Sequence, residues 1–187
     1  MKAMIIPGNG NADMSEIWFP YIKERLEELN IQVIAKNMPD PELARKSYWL
    51  PFIEQEVGEG ADVILIGHSS GAVAIMRYLE THKIKGAVLV GACYTNLGSE
   101  NEKLAGYYDE PWKWDTIRGN AEWIIQFGSL NDPYIPIQEM RFIHSKLNTE
   151  YYEYKDQGHF SSDVNKTEFP ELIAALKKHL LSGTTNP

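Results

Sequence analysis

Short apolar runs alternate with amphipathic stretches along nearly the whole chain. The runs at 2–6, 31–35, 62–66, 86–90, 121–127 and 151–154 predict strands. Several lose the polar alternation of a half-exposed strand, as strands do when helices cover both faces of a parallel sheet. Between them, residues 15–29, 43–57, 72–81, 137–147 and 168–180 place apolar side chains at three-and-four spacing, which predicts helices with one buried stripe. The βαβα rhythm predicts an α/β fold, a parallel sheet layered between helices.

One segment breaks the rhythm. Residues 92–120 carry Tyr94, Tyr107, Tyr108, Trp112 and Trp114 among acidic and small residues, and connections in compact domains are usually much shorter. An insertion after a strand's carboxyl end lies where open α/β sheets bind ligands, so it reads as a cap over a pocket. The competing reading is a structural excursion whose aromatics fill a satellite core. Residues 182–187, Ser-Gly-Thr-Thr-Asn-Pro, read as a disordered end.

Composition narrows the class. With 187 residues and 43% hydrophobic content the chain suits one domain, 1–187. A formal charge of −8 with no basic run argues against nucleic acid and against anionic membrane surfaces. Cys93 is the one cysteine, which excludes an intramolecular disulfide and a cysteine-rich zinc site. The apolar stretch before Pro7 is too short for a signal-peptide core or a membrane span, so a cytoplasmic protein is expected. No metal or other cofactor is expected.

The chemistry-bearing motif is Gly67-His68-Ser69-Ser70-Gly71. A bare G-x-S-x-G recurs by chance, but this one follows an apolar run and opens Ala72-Val-Ala-Ile-Met, the strand, turn and helix of a nucleophile elbow. A serine hydroxyl needs a base and must stand clear of the sheet, which a tight turn achieves. A Cβ at position 67 or 71 would press on the doubling backbone. The Ser70 amide, at the helix N-terminus, is then aimed at a developing oxyanion. A second donor is expected from the Asn9 amide in Pro7-Gly8-Asn9-Gly10, a loop whose alternatives are an ordinary glycine turn or a phosphate-binding loop. Lacking G-x-G-x-x-G or a nearby Lys, the nucleotide reading is the weaker one.

Five histidines compete as base. His82, His144 and His179 fall on helices or at their ends, and His68 sits inside the elbow, where it lines the pocket or braces the turn. His159, in Asp156-Gln-Gly-His-Phe160 beyond the last strand, remains. The acid should follow the fourth or fifth strand. After the fourth the chain has no carboxylate before Asn96, whereas after the fifth it reads Gly128-Ser-Leu-Asn-Asp-Pro133, so Asp132 is chosen, with Asp156 and Asp163 as weaker alternatives. Cys93 has no turn to present it and reads as a buried thiol.

These residues resemble the retinoblastoma-binding protein nine family of small serine hydrolases and its bacterial relatives, nearly end to end. The matching segments include Pro7-Gly-Asn-Gly10, Ala35-Lys-Asn-Met-Pro-Asp-Pro41, Trp49-Leu-Pro-Phe52, Gly67-His-Ser-Ser-Gly71, Met76-Arg-Tyr78, Gln126-Phe-Gly128 and Gly158-His-Phe160. The resemblance implies a minimal α/β-hydrolase fold, a three-layer sandwich around a six-stranded parallel sheet ordered 2-1-3-4-5-6. It also implies a triad on Ser69, Asp132 and His159, and aminopeptidase-like cleavage of small amino acid esters and amides. The L-x-C-x-E motif for retinoblastoma protein is missing, since the corresponding stretch is Val57-Gly-Glu-Gly-Ala61, and that partner is not carried over.

The function expected is therefore hydrolysis of a small ester or amide through an acyl-enzyme on Ser69. The pocket wall is expected from Gly8, His68, Tyr94, Tyr107, Trp112, Trp114 and Phe160. Among the cap's acidic residues, Glu100, Glu102, Asp109 and Glu110 are placed to attract an amine. The alternatives are a protein-interaction module on a hydrolase scaffold with little activity, and a flavodoxin-like phosphate binder.

Overall fold

The computed structural model describes residues 1–181. Strands β1 (Lys2–Ile6), β2 (Gln32–Ile34), β3 (Val63–His68), β4 (Ile84–Val90), β5 (Ala121–Ser129) and β6 (Glu150–Tyr154) form one sheet ordered β2-β1-β3-β4-β5-β6. Every pairing is parallel, with Ile6 opposite Gly67 and His68 opposite Val90. The architecture is the one expected. Residues 182–187, read as a disordered end, lie outside the described residues.

The period of two along each strand divides the core between the two faces. Met4, Ile6, Val63, Leu65, Ala87 and Leu89 face helices α2 (Lys46–Val57), α3 (Ser70–Tyr78) and α6 (Ile137–Leu147). Ala3, Ile5, Ile64, Ile66, Val88 and Val90 face α1 (Phe19–Glu27) and α7 (Pro170–Leu181). Among the described residues no helix is long and apolar enough to cross a membrane.

Two helices start later than their apolar spacing predicts. Ile17 and Ala44 adopt φ of 43° and 55°, outside the helical region, so α1 begins at Phe19 and α2 at Lys46. Within 92–120 two further helices form, α4 (Glu100–Ala105) and α5 (Trp114–Gly119). Arg77 of α3 anchors this segment. Its side chain is 2% exposed, and its guanidinium donates to the carbonyls of Tyr107 (2.7 Å) and Glu110 (2.6 Å) and to Glu80 (2.7 Å). The Trp112 ring lies 3.7 Å from the guanidinium carbon. At the segment's start, the Glu139 carboxylate accepts from the Tyr94 and Thr95 amides at 2.9 and 3.0 Å.

Candidate active site

The turn from β3 into α3 holds Ser69 at φ 54°, ψ −119°, a conformation side chains rarely adopt. Surrounding contacts enforce it. A Cβ on Gly67 would meet the Gly71 backbone at 2.5 Å, and one on Gly71 would run into the Ile6 and Pro7 carbonyl oxygens. The Ser69 amide donates to Val90 O at 2.8 Å, and the Ser69 carbonyl accepts the first helical bonds from Ala72 and Val73. The side chain is thereby lifted off the sheet into a cavity. Strain of this kind costs about 1–3 kcal/mol and persists only where the surroundings over-determine it.

His159 follows β6, and its Nδ1 lies 2.7 Å from Asp132 Oδ2. The other Asp132 oxygen accepts the amides of Tyr134 and Ile135, each at 2.9 Å. The carboxylate side chain is 0% exposed and cannot rotate without giving up one of these partners. Because a carboxylate only accepts, Nδ1 carries the imidazole proton and Nε2 is left to accept one. Asp163, a weaker alternative for the acid, instead accepts the His159 backbone amide at 2.8 Å. Asn131 and Ser129 join the two loops: Asn131 Oδ1 accepts from Gly158 N at 2.8 Å, and Ser129 Oγ from Gln157 N at 2.9 Å. Trp18 Nε1 holds the far side through the Phe160 carbonyl at 2.8 Å.

His68 is buried beside them. Its Nε2 lies 2.8 Å from the His159 carbonyl, which only accepts, so Nε2 is the protonated nitrogen. Burial, reinforced by the neighbouring His159, pulls its pKa down to about 3. His68 is thus a neutral brace for the His159 backbone and no proton carrier near neutrality. Burial likewise pushes the Cys93 thiol up to about 12, which leaves it un-ionised and a poor nucleophile.

Ser69, Ser70, His68 and His159 line a cavity of about 710 Å³ at the carboxyl ends of the strands. Gly8, Asn9 and Gly10 form one wall. Leu97, Ser99, Asn101 and Glu102 form a second, and Pro133, Tyr134 and Ile135 a third. As first residue of α3, Ser70 has an amide with no acceptor inside the helix.

A serine hydrolase family model matches residues 3–178. The chain belongs to the serine hydrolase family. It is 45% identical over 181 residues to serine hydrolase RBBP9 of Rattus norvegicus, spanning 96% of this chain and 95% of that protein. It is 26% identical over 193 residues to the putative hydrolase YdeN of Bacillus subtilis, spanning 98% of both. The crystal structure of the ydeN gene product superimposes with a TM-score of 0.85, over 96% of this chain and 99% of that one. Est1E from Butyrivibrio proteoclasticus, in its complex with ferulic acid, is alike in fold, with a TM-score of 0.74 at 14% identity over 96% and 88% of the two chains.

The wall of this serine hydrolase's cavity differs from the one expected. Gly8 and His68 line it, but Tyr94, Tyr107, Trp112, Trp114 and Phe160 do not. Arg77 draws the Tyr107 carbonyl and the Trp112 ring onto α3, so Tyr107 is fully buried. Tyr94 and Trp114 pack on Phe142 of α6, with ring centroids 4.0 and 5.9 Å away. Phe160 turns into the opposite core layer against Phe169, centroid to centroid 5.4 Å. Tyr107 belongs to the core layer shared with α2, α3 and α6, and Tyr94, Tyr108, Trp112 and Trp114 pack against that layer. Of the acidic residues, Glu102 alone reaches the cavity, where Glu16 joins it. Tyr134, which sequence reasoning missed, is 64% exposed and stands edge-on to His159 at 5.1 Å. Its one signal was its place directly after Asp132-Pro133.

Proposed function

We propose that this serine hydrolase cleaves small esters and amides through an acyl-enzyme on Ser69, with Asp132 and His159 completing the triad. His159 Nε2 takes the Ser69 proton as the hydroxyl attacks the carbonyl carbon. The carbonyl oxygen becomes negative between the amides of Ser70 and Asn9. His159 then returns the proton to the leaving group, and a water repeats the cycle at the acyl carbon. Asp132 keeps the proton on Nδ1 and stabilises the imidazolium. The observation that carries the reading is a serine forced to positive φ above a cavity shared with a histidine whose other nitrogen is fixed by a buried carboxylate.

The cavity suits a small acyl group, and Glu16 and Glu102 give its wall a negative potential. Acyl groups bearing a free amine fit it better than acidic ones, in keeping with an aminopeptidase-like activity on aminoacyl esters and amides. A fluorophosphonate probe tests the reading: it should label the wild-type protein and spare Ser69→Ala. A wild-type protein that stays unlabelled, or a Ser69→Ala variant labelled equally, overturns it.

A further inference from the structure

Ser99-Glu-Asn-Glu102 has the sequence of a capping box, in which the glutamate bends back to the N-cap amide. Half of that box is present. The Glu102 amide donates to Ser99 Oγ at 3.5 Å, but the Ser99 amide goes to Asn96 O at 2.9 Å. The Glu102 carboxylate turns away from its helix. Its Oε1 accepts from Asn9 Nδ2 at 2.8 Å and its Oε2 from the Tyr108 hydroxyl at 3.0 Å. Tyr108 Oη also lies 3.1 Å from Cys93 Sγ.

Asn9 needs such a hold. It lies between Gly8 and Gly10, whose φ is +71°, so the loop has little conformational stiffness of its own. On the outer side the Gly10 and Asn11 amides donate to the Glu42 and Pro41 carbonyls, at 3.1 Å each. Facing the cavity, the Asn9 side chain is tethered to Glu102. An oxyanion donor is effective only when held about 2.7–3.1 Å from the oxygen's position in the tetrahedral intermediate, and groups one shell out commonly supply that precision. A charged acceptor roughly doubles the strength of the tether over a neutral one. Burial pushes the Tyr108 phenol well above its usual range, so it stays a donor to Glu102.

We propose that Glu102 is a positioning residue that fixes the Asn9 amide in the oxyanion hole, linking the 92–120 segment to the loop after β1. This rests on the function proposed above. The geometry accounts for a carboxylate that gives up its local cap for a partner far away in sequence. It also makes the state of the 92–120 segment a determinant of kcat, since loosening α4 releases Asn9.

The test compares wild type, Glu102→Ala and Glu102→Gln on p-nitrophenyl acetate, which carries no amine, and on an aminoacyl p-nitrophenyl ester. Losing an oxyanion donor outright costs about 100- to 1,000-fold in kcat, and loosening one should cost Glu102→Ala about 10- to 100-fold on both esters, with KM on the acetate within threefold. Gln keeps an acceptor for Asn9, so Glu102→Gln should recover to within about fivefold of wild type on the acetate. Tyr108→Phe, which removes one of the two tethers on Glu102 and keeps the ring, should fall between them. The proposal is overturned if Glu102→Ala keeps kcat on the acetate within threefold, if Gln fails to rescue it, or if both variants change only KM for the aminoacyl ester, which would make Glu102 an amine-recognition residue. A wild-type protein inactive on both esters would sink the proposed function itself and is read separately.

Discussion

Replacing Asp132 by Asn separates the chemistry of the site from its architecture. The carboxamide oxygen can still accept the Tyr134 and Ile135 amides that now lie at 2.9 Å. Exchanging a charged for a neutral acceptor weakens both bonds, at a cost of about 1 kcal/mol in stability. The carboxamide nitrogen must then face His159 Nδ1, at the 2.7 Å now spanned by a carboxylate oxygen. Two N–H donors cannot meet there, so the imidazole shifts its proton to Nε2, and the nitrogen that should accept from Ser69 is blocked. Removal of the correct tautomer in a triad costs about 10,000-fold in kcat, or roughly 5–6 kcal/mol of transition-state stabilisation. A chain of this length should lose only about 2–4 °C in Tm for 1 kcal/mol. The assay pairs kcat on p-nitrophenyl acetate with thermal unfolding followed by circular dichroism. A variant retaining kcat within tenfold of wild type refutes the tautomer argument. A Tm lowered by more than about 10 °C refutes the claim that the amide bonds survive.

Arg77→Met removes the donor to the Tyr107 and Glu110 carbonyls and leaves the Glu80 carboxylate without its cation, held by the Lys113 amide. Breaking a buried pair of this kind costs about 3–5 kcal/mol, a fall in Tm of roughly 6–20 °C, and a Tm within 3 °C of wild type would show that the segment is held by other contacts. Burial holds the His68 pKa in the folded protein down to about 3, below its ordinary 6.5. Only the unfolded chain gains its proton between these values, so this contribution to stability is intact above pH 6.5 and falls as pH drops toward 3. Between pH 7 and 5, where carboxylates remain ionised, the loss should be about 2 kcal/mol. His68→Gln retains a donor for the His159 carbonyl and should flatten that decline in urea titrations; an unchanged slope refutes the assignment of a buried neutral His68.

What could be read in the sequence depended on how local the cause was. Gly67 and Gly71 are demanded by backbone atoms a few residues away or on the adjoining strand, so the elbow was legible as a motif. The positions of Asp132 and His159 follow from strand ends that hydrophobic runs mark clearly. The late starts of α1 and α2 were hidden, because Ile17 and Ala44 adopt positive φ with no glycine or asparagine to announce it. The aromatic segment was misassigned to the pocket for a different reason: Arg77 binds it through main-chain carbonyls, and carbonyls leave no trace in a pattern of side chains.

That displacement changes what the cavity can select. With Tyr107, Trp112 and Trp114 packed against α3 and α6, the 92–120 segment presents Cys93, Leu97, Ser99, Asn101 and Glu102 to the cavity above Ser69. A wall of one branched aliphatic, a thiol, two small polar groups and a carboxylate offers little area for stacking a large ring, and the aromatic rings lining the cavity, buried Phe19 and exposed Tyr134, come from outside the segment. The segment's influence on the reaction therefore passes through polarity and through the tether on Asn9. Its aromatic residues act one step removed, by fixing where Glu102 stands.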